Sequence, residues 1–305
     1  MEPQITARNW IQILALGLVW GATFLVMELA LRGIGPAWLA AGRIGFAGLL
    51  TLAIWWLRGA RLFLGDATDW GTLAICGLLS TALPFMLLTF GLQHVTSGFA
   101  GVSMAAVVLM VLPLAHFLIP GEKMTLRRTL GFVIGFAGIL VLIGPGAFAA
   151  SGAEGEVLGR LACLAAASCY AISSVLLRRL PAIDPLGLTA MTFVIGSALV
   201  LPAAWLMEGP PPRTDAITLF WVVVLGMIPT AAANLLRILV IRSAGPVFMG
   251  LVNYMVPVAS VLLGALILSE PLPPGLLSAM MLILAGMGLS QYGALSRLFR
   301  RRPLP

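Results

Sequence analysis

Charge is scarce in this chain. Charged residues make up 10% of its 305 positions, against about 25% in an ordinary soluble domain. That scarcity excludes a large water-facing surface. The parts for catalysis are missing as well. The two histidines, His94 and His116, have no acidic companion close by in sequence, so a zinc centre has no ligand set. There is no Gly-x-Ser-Gly tetrapeptide for an intramembrane serine protease. Asp66, Asp69, Asp184 and Asp215 fall in loops or at the ends of apolar stretches, which argues against a paired-aspartate protease. No glycine-rich phosphate loop occurs, so ATP drive by this chain is not expected. The cysteines Cys76, Cys163 and Cys169 are odd in number and lack metal-ligand spacing, so they read as small apolar filler. Neither a cofactor nor a metal is expected. Lysine occurs once, at Lys123.

Apolar sequence dominates instead. Hydrophobic residues form 60% of the chain and the mean hydropathy is +1.06. They fall in ten stretches, near 10–31, 36–57, 70–91, 97–118, 127–144, 157–178, 185–206, 217–240, 246–268 and 274–294. A helix crossing the hydrocarbon core needs about 20 such residues. Pro, Gly or charge marks most of the breaks. The longest connection, roughly 144–156, is too short for a soluble domain. Residues 1–9 form a polar leader without a cleavable signal pattern, so the first stretch reads as a retained anchor.

The net charge of +7 is distributed in a way that sets orientation rather than nucleic-acid binding. With the N-terminus cytoplasmic, 13 basic residues fall inside: Arg8, Arg58, Arg61, Lys123, Arg127, Arg128, Arg178, Arg179, Arg242, Arg297, Arg300, Arg301 and Arg302. Only Arg32, Arg160 and Arg213 fall outside. This bias predicts cytoplasmic termini. The tail from Arg297 to Arg302 is a topology anchor or a patch against anionic headgroups.

The chain also matches itself. At a shift of 148 residues, Ile119-Pro120-Gly121-Glu122-Lys123 lies over Ile267-Leu268-Ser269-Glu270-Pro271, and Phe136-Ala137-Gly138 over Leu284-Ala285-Gly286. With one more residue of shift, Trp20 to Glu28 lies over Cys169 to Leu177. Each unit, 1–148 and 149–305, holds five spans. An odd number forces the two copies to cross the membrane in opposite senses. Inverted repeats of this kind characterise many secondary transporters, which bind their solute near mid-membrane between the repeats. Two halves that only pack together as a scaffold are the alternative.

Four features carry a family resemblance. They are Trp20-Gly21 followed by Phe24 in the first span, Arg43 in the second, the Gly121-Glu122 turn echoed at Ser269-Glu270, and Pro257 placed 13 residues before Glu270. Leu109 stands where the first unit would repeat that proline, and Pro113 appears nearby instead. With the ten spans, these features resemble the drug/metabolite transporter superfamily, in its branch with two EamA-type repeats. The chain looks most like the bacterial aromatic amino-acid and methyl viologen exporters. The resemblance implies an all-α carrier of the bacterial inner membrane, often an exporter of amino acids or other metabolites.

Polar groups inside the spans are the site candidates. Thr230, Asn234 and Arg237 share one stripe of the eighth span. Gly250, Asn253, Pro257, Ser260 and Gly264 share one stripe of the ninth, beside Tyr254. The asparagines offer a donor and an acceptor to an amino or carboxylate group, or they bond between helices. Trp20, Thr23 and Phe24 in the first span and Tyr170, Ser173 and Ser174 in the sixth sit at repeat-related levels and form candidate walls. Met86 supplies adaptable surface. Pro84, Pro229 and Pro257 are expected kinks or hinges. Glu28 and Arg43 are expected to pair, as an outer gate or a structural bridge. Spans one, three, four, six, eight and nine are expected to line the cavity. His94 is a possible pH-responsive group in an outer turn. The expected partners are a small solute and the lipid bilayer, with no nucleic acid, in a monomer or weak dimer. A multidrug, cationic-compound, nucleoside or sugar exporter coupled to protons is the alternative substrate reading. An intramembrane enzyme, a channel and a sensor are the other classes, each disfavoured by a missing motif, pore lining or output domain.

Overall fold

The computed structural model describes residues 5–60, 67–119, 121, 123–143, 155–177, 180, 184–272 and 275–299. Among them the secondary structure is all helical, and ten helices fall on the ten apolar stretches. They are α1 (Ala7–Leu31), α2 (Pro36–Leu57), α3, α4 (Ser97–Leu118), α5 (Leu126–Ile143), α6 (Glu156–Leu177), α7 (Pro185–Glu208), α8, α9 (Val252–Ile267) and α10 (Leu276–Phe299). Helix α3 runs through Ala67–Gly77, a π-helical stretch Leu78–Ala82 and Leu83–Gly91. Helix α8 does the same through Ala216–Leu225, Gly226–Ala232 and Ala233–Ala244. Eight of the described helices are long and apolar enough to span a bilayer, and Val252–Ile267 is a shorter apolar helix. The lipid-facing sides are stripped of charge. Leu206, Leu57 and Phe117 are more than 80% exposed, which only hydrocarbon tolerates in such number. Trp56 and Trp205 lie exposed near opposite ends, as interfacial aromatics do.

Local chemistry sets the helix ends. Thr6 and Asn9 form a reciprocal capping box at the start of α1. Asp184 and Asp215 cap α7 and α8. The Thr218 side chain and its backbone N–H hold the exposed Asp215 carboxyl below its usual value. A depressed carboxyl stabilises the fold above its unfolded pKa, about 3.9, and loses that contribution as pH falls through the folded value. Asp215→Ala is therefore expected to lower the unfolding temperature more at pH 7 than at pH 3. Equal losses at both pH values would refute the assignment.

One expected span is broken. The stretch 246–268 is interrupted: Gly245 adopts φ +87, Pro246–Met249 forms a single turn, and α9 begins only at Val252. A left-handed glycine followed by proline, which lacks an amide hydrogen, separates that turn from α8. The break before Gly245 is marked in the sequence by Arg242 and Ser243, but the apolar texture from Val247 to Val252 hid the second interruption after Met249.

Packing follows the internal repeat. The most intimate pairs are either equivalent helices meeting each other (α2 with α7, α4 with α9, α5 with α10) or two-fold mates. The mates are α1 with α9 and α6 with α4, α1 with α8 and α6 with α3, and α2 with α8 and α7 with α3. Backbone details repeat too. Gly121 and Ser269, 148 residues apart, share a left-handed turn with φ +86 and +54. The π-helical stretches start at Leu78 and Gly226, the same distance apart. The boundary placed at 148/149 and the acidic Glu122 lie outside the described residues.

Seams between the helices are narrow where glycine permits. An added Cβ at Gly286 would sit 2.5 Å from both the Gly131 carbonyl and the Gly135 nitrogen, and one at Gly131 would meet the Gly286 carbonyl at 2.6 Å. Helices α5 and α10 thus touch backbone to backbone.

Candidate functional site

The two interrupted helices meet the opposite half at one level of the bundle. Pro229 has no amide hydrogen, so the Leu225 carbonyl loses its usual donor. The Thr230 hydroxyl donates to that carbonyl at 2.7 Å. The carbonyl of Pro229 in turn accepts the Trp20 indole N–H at 3.0 Å, and that of Thr230 accepts the Asn234 amide at 2.6 Å. The π-helical stretch therefore stays satisfied by side chains from its own half and from α1 of the other. In α3, where Pro84 follows the stretch, Ser80 and Thr81 hydroxyls donate to the carbonyls of Cys76 and Gly77.

Arg43 lies against this region. It stands seven residues into α2, about 10 Å down the helix axis, and is 6% exposed. Its Nε donates to the Thr230 hydroxyl oxygen at 2.8 Å. One terminal nitrogen reaches the Met27 sulfur at 3.2 Å, a weak acceptor. The guanidinium carbon stands 4.0 Å from the centre of the Phe85 ring. Phe85 meets Tyr170 edge-on at 6.5 Å. Tyr170 is also within electrostatic reach of Arg43. No carboxylate among the described residues pairs with this cation. A cation over a desolvated ring gains about 2 kcal/mol, and a neutral acceptor adds about 1.5–3 kcal/mol. Burying an ion costs several kcal/mol, so these partners offset much of the penalty without neutralising the charge.

The expected Glu28–Arg43 pair does not form. Glu28 is half-buried, and its charged neighbours are Glu270 and Arg32. Glu28 lies one turn from the end of α1, whereas the Arg43 side chain is drawn to Thr230 on α8. Equal depth along the membrane does not bring the two side chains to the same side of their helices.

The other candidates divide clearly. Trp20, Tyr170, Thr230, Pro229 and Phe85 join the Arg43 region, and Phe85 was not anticipated. Thr23 and Ser173 are buried but bond to carbonyls of their own helices, Val19 and Tyr170. Phe24 is buried beside Gly101 and Ser260, where α1, α4 and α9 close together. Met86 is half-buried against the cluster that holds Phe85. Pro84 and Pro257 are buried inside their helices. Tyr254 is half-buried, and its hydroxyl is buried with no hydrogen-bond partner. Asn253 is exposed in the first turn of α9, and Arg237 is exposed on α8. Thus Asn253 stands apart from the enclosed cluster. Helix α2, through Arg43, borders this cluster as well. His94 stacks edge-on against Phe90 at 5.0 Å in the turn after α3.

Carboxylates tie the two halves together at one face. Glu208, at the end of α7, accepts from the backbone N–H groups of Ala37 (2.7 Å) and Trp38 (3.3 Å) at the start of α2. Glu270, after α9, accepts from Ser97 N (3.1 Å), the Ser97 hydroxyl (2.8 Å) and Gly98 N (3.4 Å) at the start of α4. Both carboxylates satisfy free N–H groups and sit at the positive end of a helix dipole. At the opposite face the halves meet through the Asn9 amide and the Ser243 hydroxyl at 2.8 Å, through Trp10 edge-on against Phe248 at 5.0 Å, and through the Arg127 guanidinium over the Tyr292 ring at 4.7 Å, with no carboxylate among these described links. A groove of about 310 Å³ opens on the outside of the bundle, lined by Trp38, Phe46, Leu201, Pro211 and Val222. It holds none of the candidate residues.

Two halves of opposite sense, joined around interrupted helices, define a membrane carrier of the inverted-repeat class. The EamA-like transporter family matches residues 9–144 and 157–291, five helices each time, and the chain belongs to that family. It is 24% identical over 279 residues to the uncharacterized transporter YvbV of Bacillus subtilis, covering 90% of this chain and 89% of that protein. It is 28% identical over 259 residues to the uncharacterized inner membrane transporter YedA of Escherichia coli, covering 83% and 80%. A solved crystal structure superposes with a TM-score of 0.64 at 22% identity, over 97% of this chain and 99% of the other. That likeness supports the fold.

Proposed function

We propose that the protein is an alternating-access carrier of the bacterial inner membrane that exports amino acids, with aromatic ones in its range. The observation that carries this reading is the enclosed cluster of Trp20, Phe85, Tyr170 and Thr230 where the halves meet. It combines flat apolar walls with a few polar atoms, as sites for amphipathic solutes do. Rocking of one half against the other would expose that cluster to each side in turn. The membrane assignment to inner rather than organellar membranes draws on YedA, and a unit boundary at 148/149 is supported by its lying in the gap between the two matched segments.

Uptake of labelled amino acids into proteoliposomes tests the reading. Saturable uptake of phenylalanine, tryptophan or tyrosine, competed by unlabelled substrate, is the expected result. Protein-independent rates for every amino acid would discard the amino-acid assignment. Proton coupling is a second reading, favoured by the proximity of Glu28 to Glu270. An imposed pH gradient then accelerates uptake in the wild type and not in Glu28→Gln.

A further inference from the structure

The repeat offers an internal control for Arg43. At a shift of 149 residues its equivalent in the second half is Thr192. The surroundings correspond closely. An added Cβ at Gly226 would lie 3.0 Å from the Arg43 carbonyl, and one at Gly77 would lie 3.4 Å from the Thr192 carbonyl. Thr230 meets Arg43 through its hydroxyl, and Thr81, its equivalent, donates to the Thr192 carbonyl at 3.2 Å. The same packing of a π-helical stretch on a neighbouring helix is therefore built twice, once with a buried cation and once with a threonine. Thr192 is buried and satisfied by the Thr189 carbonyl. The fold works there without charge, so packing alone does not require Arg43.

The guanidinium is also incompletely used. Nε is committed to Thr230, one terminal nitrogen touches only the Met27 thioether, and the other makes no hydrogen bond among the described residues. The edge formed by the two terminal nitrogens matches the two oxygens of a carboxylate. The aromatic rings of Phe85 and Tyr170 lie next to it.

We propose that Arg43 is the anion receptor of the transport path and that the carried solute presents a carboxylate beside an apolar or aromatic body. This rests on the carrier reading given above. One cation without a second basic group in the cluster balances a monoanion. A phosphate dianion would leave a net buried charge, so carboxylate fits better than phosphate. Arg43 thus binds substrate, in place of the gating role that its position in the sequence invited.

The test uses one carbon skeleton with three head groups. Purified protein is melted in detergent with 3-phenylpropionate, 3-phenylpropanol or 3-phenylpropylamine. The carboxylate is expected to raise the unfolding temperature of the wild type at concentrations at least about tenfold below those of the other two. Arg43→Gln is expected to abolish that preference and Arg43→Lys to keep part of it. Equal stabilisation by all three compounds in the wild type overturns the proposal, even if the variants fail to fold. Persistence of the carboxylate preference in Arg43→Gln overturns it too. In proteoliposomes, Arg43→Gln should lower phenylalanine transport efficiency by about 10- to 100-fold, the range for one charge-assisted contact. A carboxylate preference without any amino-acid flux would keep Arg43 as receptor and discard amino acids as cargo. Unaltered phenylalanine flux in Arg43→Gln would discard the receptor and keep the carrier.

Discussion

Gly286→Leu is expected to yield no monodisperse protein after extraction from the membrane. A Cβ at this position would sit 2.5 Å from the Gly131 carbonyl and 2.5 Å from the Gly135 nitrogen. All the nearest obstacles are backbone, so no rotamer change relieves the clash. The two helices would have to separate along a seam that both repeats share. Overpacking a core with yielding side chains costs about 1–3 kcal/mol, and a rigid backbone contact costs more than that. The total is a large share of a typical stability of about 5–15 kcal/mol. Gly286→Ala should fold with a reduced unfolding temperature. Gly288, on the same helix, has open space around its Cβ, so Gly288→Leu should behave as wild type. Size-exclusion profiles and melts of the three variants check the series. A sharp Gly286→Leu peak that melts with the wild type would show that the close approach is absent.

Neutralising both inter-half carboxylates, Glu208→Gln with Glu270→Gln, is expected to open the face predicted to be periplasmic. Charge-assisted hydrogen bonds contribute about 1.5–3 kcal/mol each. Weakening five of them to two carboxylates, with the helix-dipole term removed, is worth several kcal/mol. Moving a two-state equilibrium from 1:99 to 99:1 takes about 5.5 kcal/mol. The loss is therefore of the right size to change which state dominates, while the links at the other face, Asn9 to Ser243, Trp10 to Phe248 and Arg127 to Tyr292, are untouched. A cysteine at the buried Thr23, introduced after removal of Cys76, Cys163 and Cys169, reports the change. Labelling by an impermeant maleimide added from the outer side should rise at least about tenfold in the double variant. Unchanged labelling in a protein that still folds would mean that these carboxylates only cap helices.

The fold was largely legible because lipid leaves few choices. Backbone groups must be satisfied within each segment, so apolar length translates directly into helices. The spans 36–57 and 97–118 coincide with α2 and α4, and the shared turn at Gly121 and Ser269 confirms the alignment of the two halves. The break near Gly245 was read between spans 217–240 and 246–268, but the interruption between Met249 and Val252 was missed because its flanks are apolar on both sides. The site was less legible. Trp20 and Thr230 emerged from polarity and level, but Arg43 was matched to Glu28 because depth is readable from sequence and azimuth is not. Phe85 went unnoticed since one phenylalanine among 14 carries no mark of what stands over its ring. The carboxylate caps on α2 and α4 join residues more than 170 positions apart, and no local pattern announces them.

Ser269 holds a left-handed backbone, φ +54, where its counterpart Gly121 holds φ +86. An L-residue strains there by about 1–2 kcal/mol while glycine does not. The reversal at Ser269 delivers the next residue, Glu270, to the start of α4. The second copy carries serine where the first carries the residue that makes this bend easy, and it holds the same bend. What the two halves share at this corner is the course of the chain rather than its residue, and in the second half that course is held by a contact that reaches across to the first.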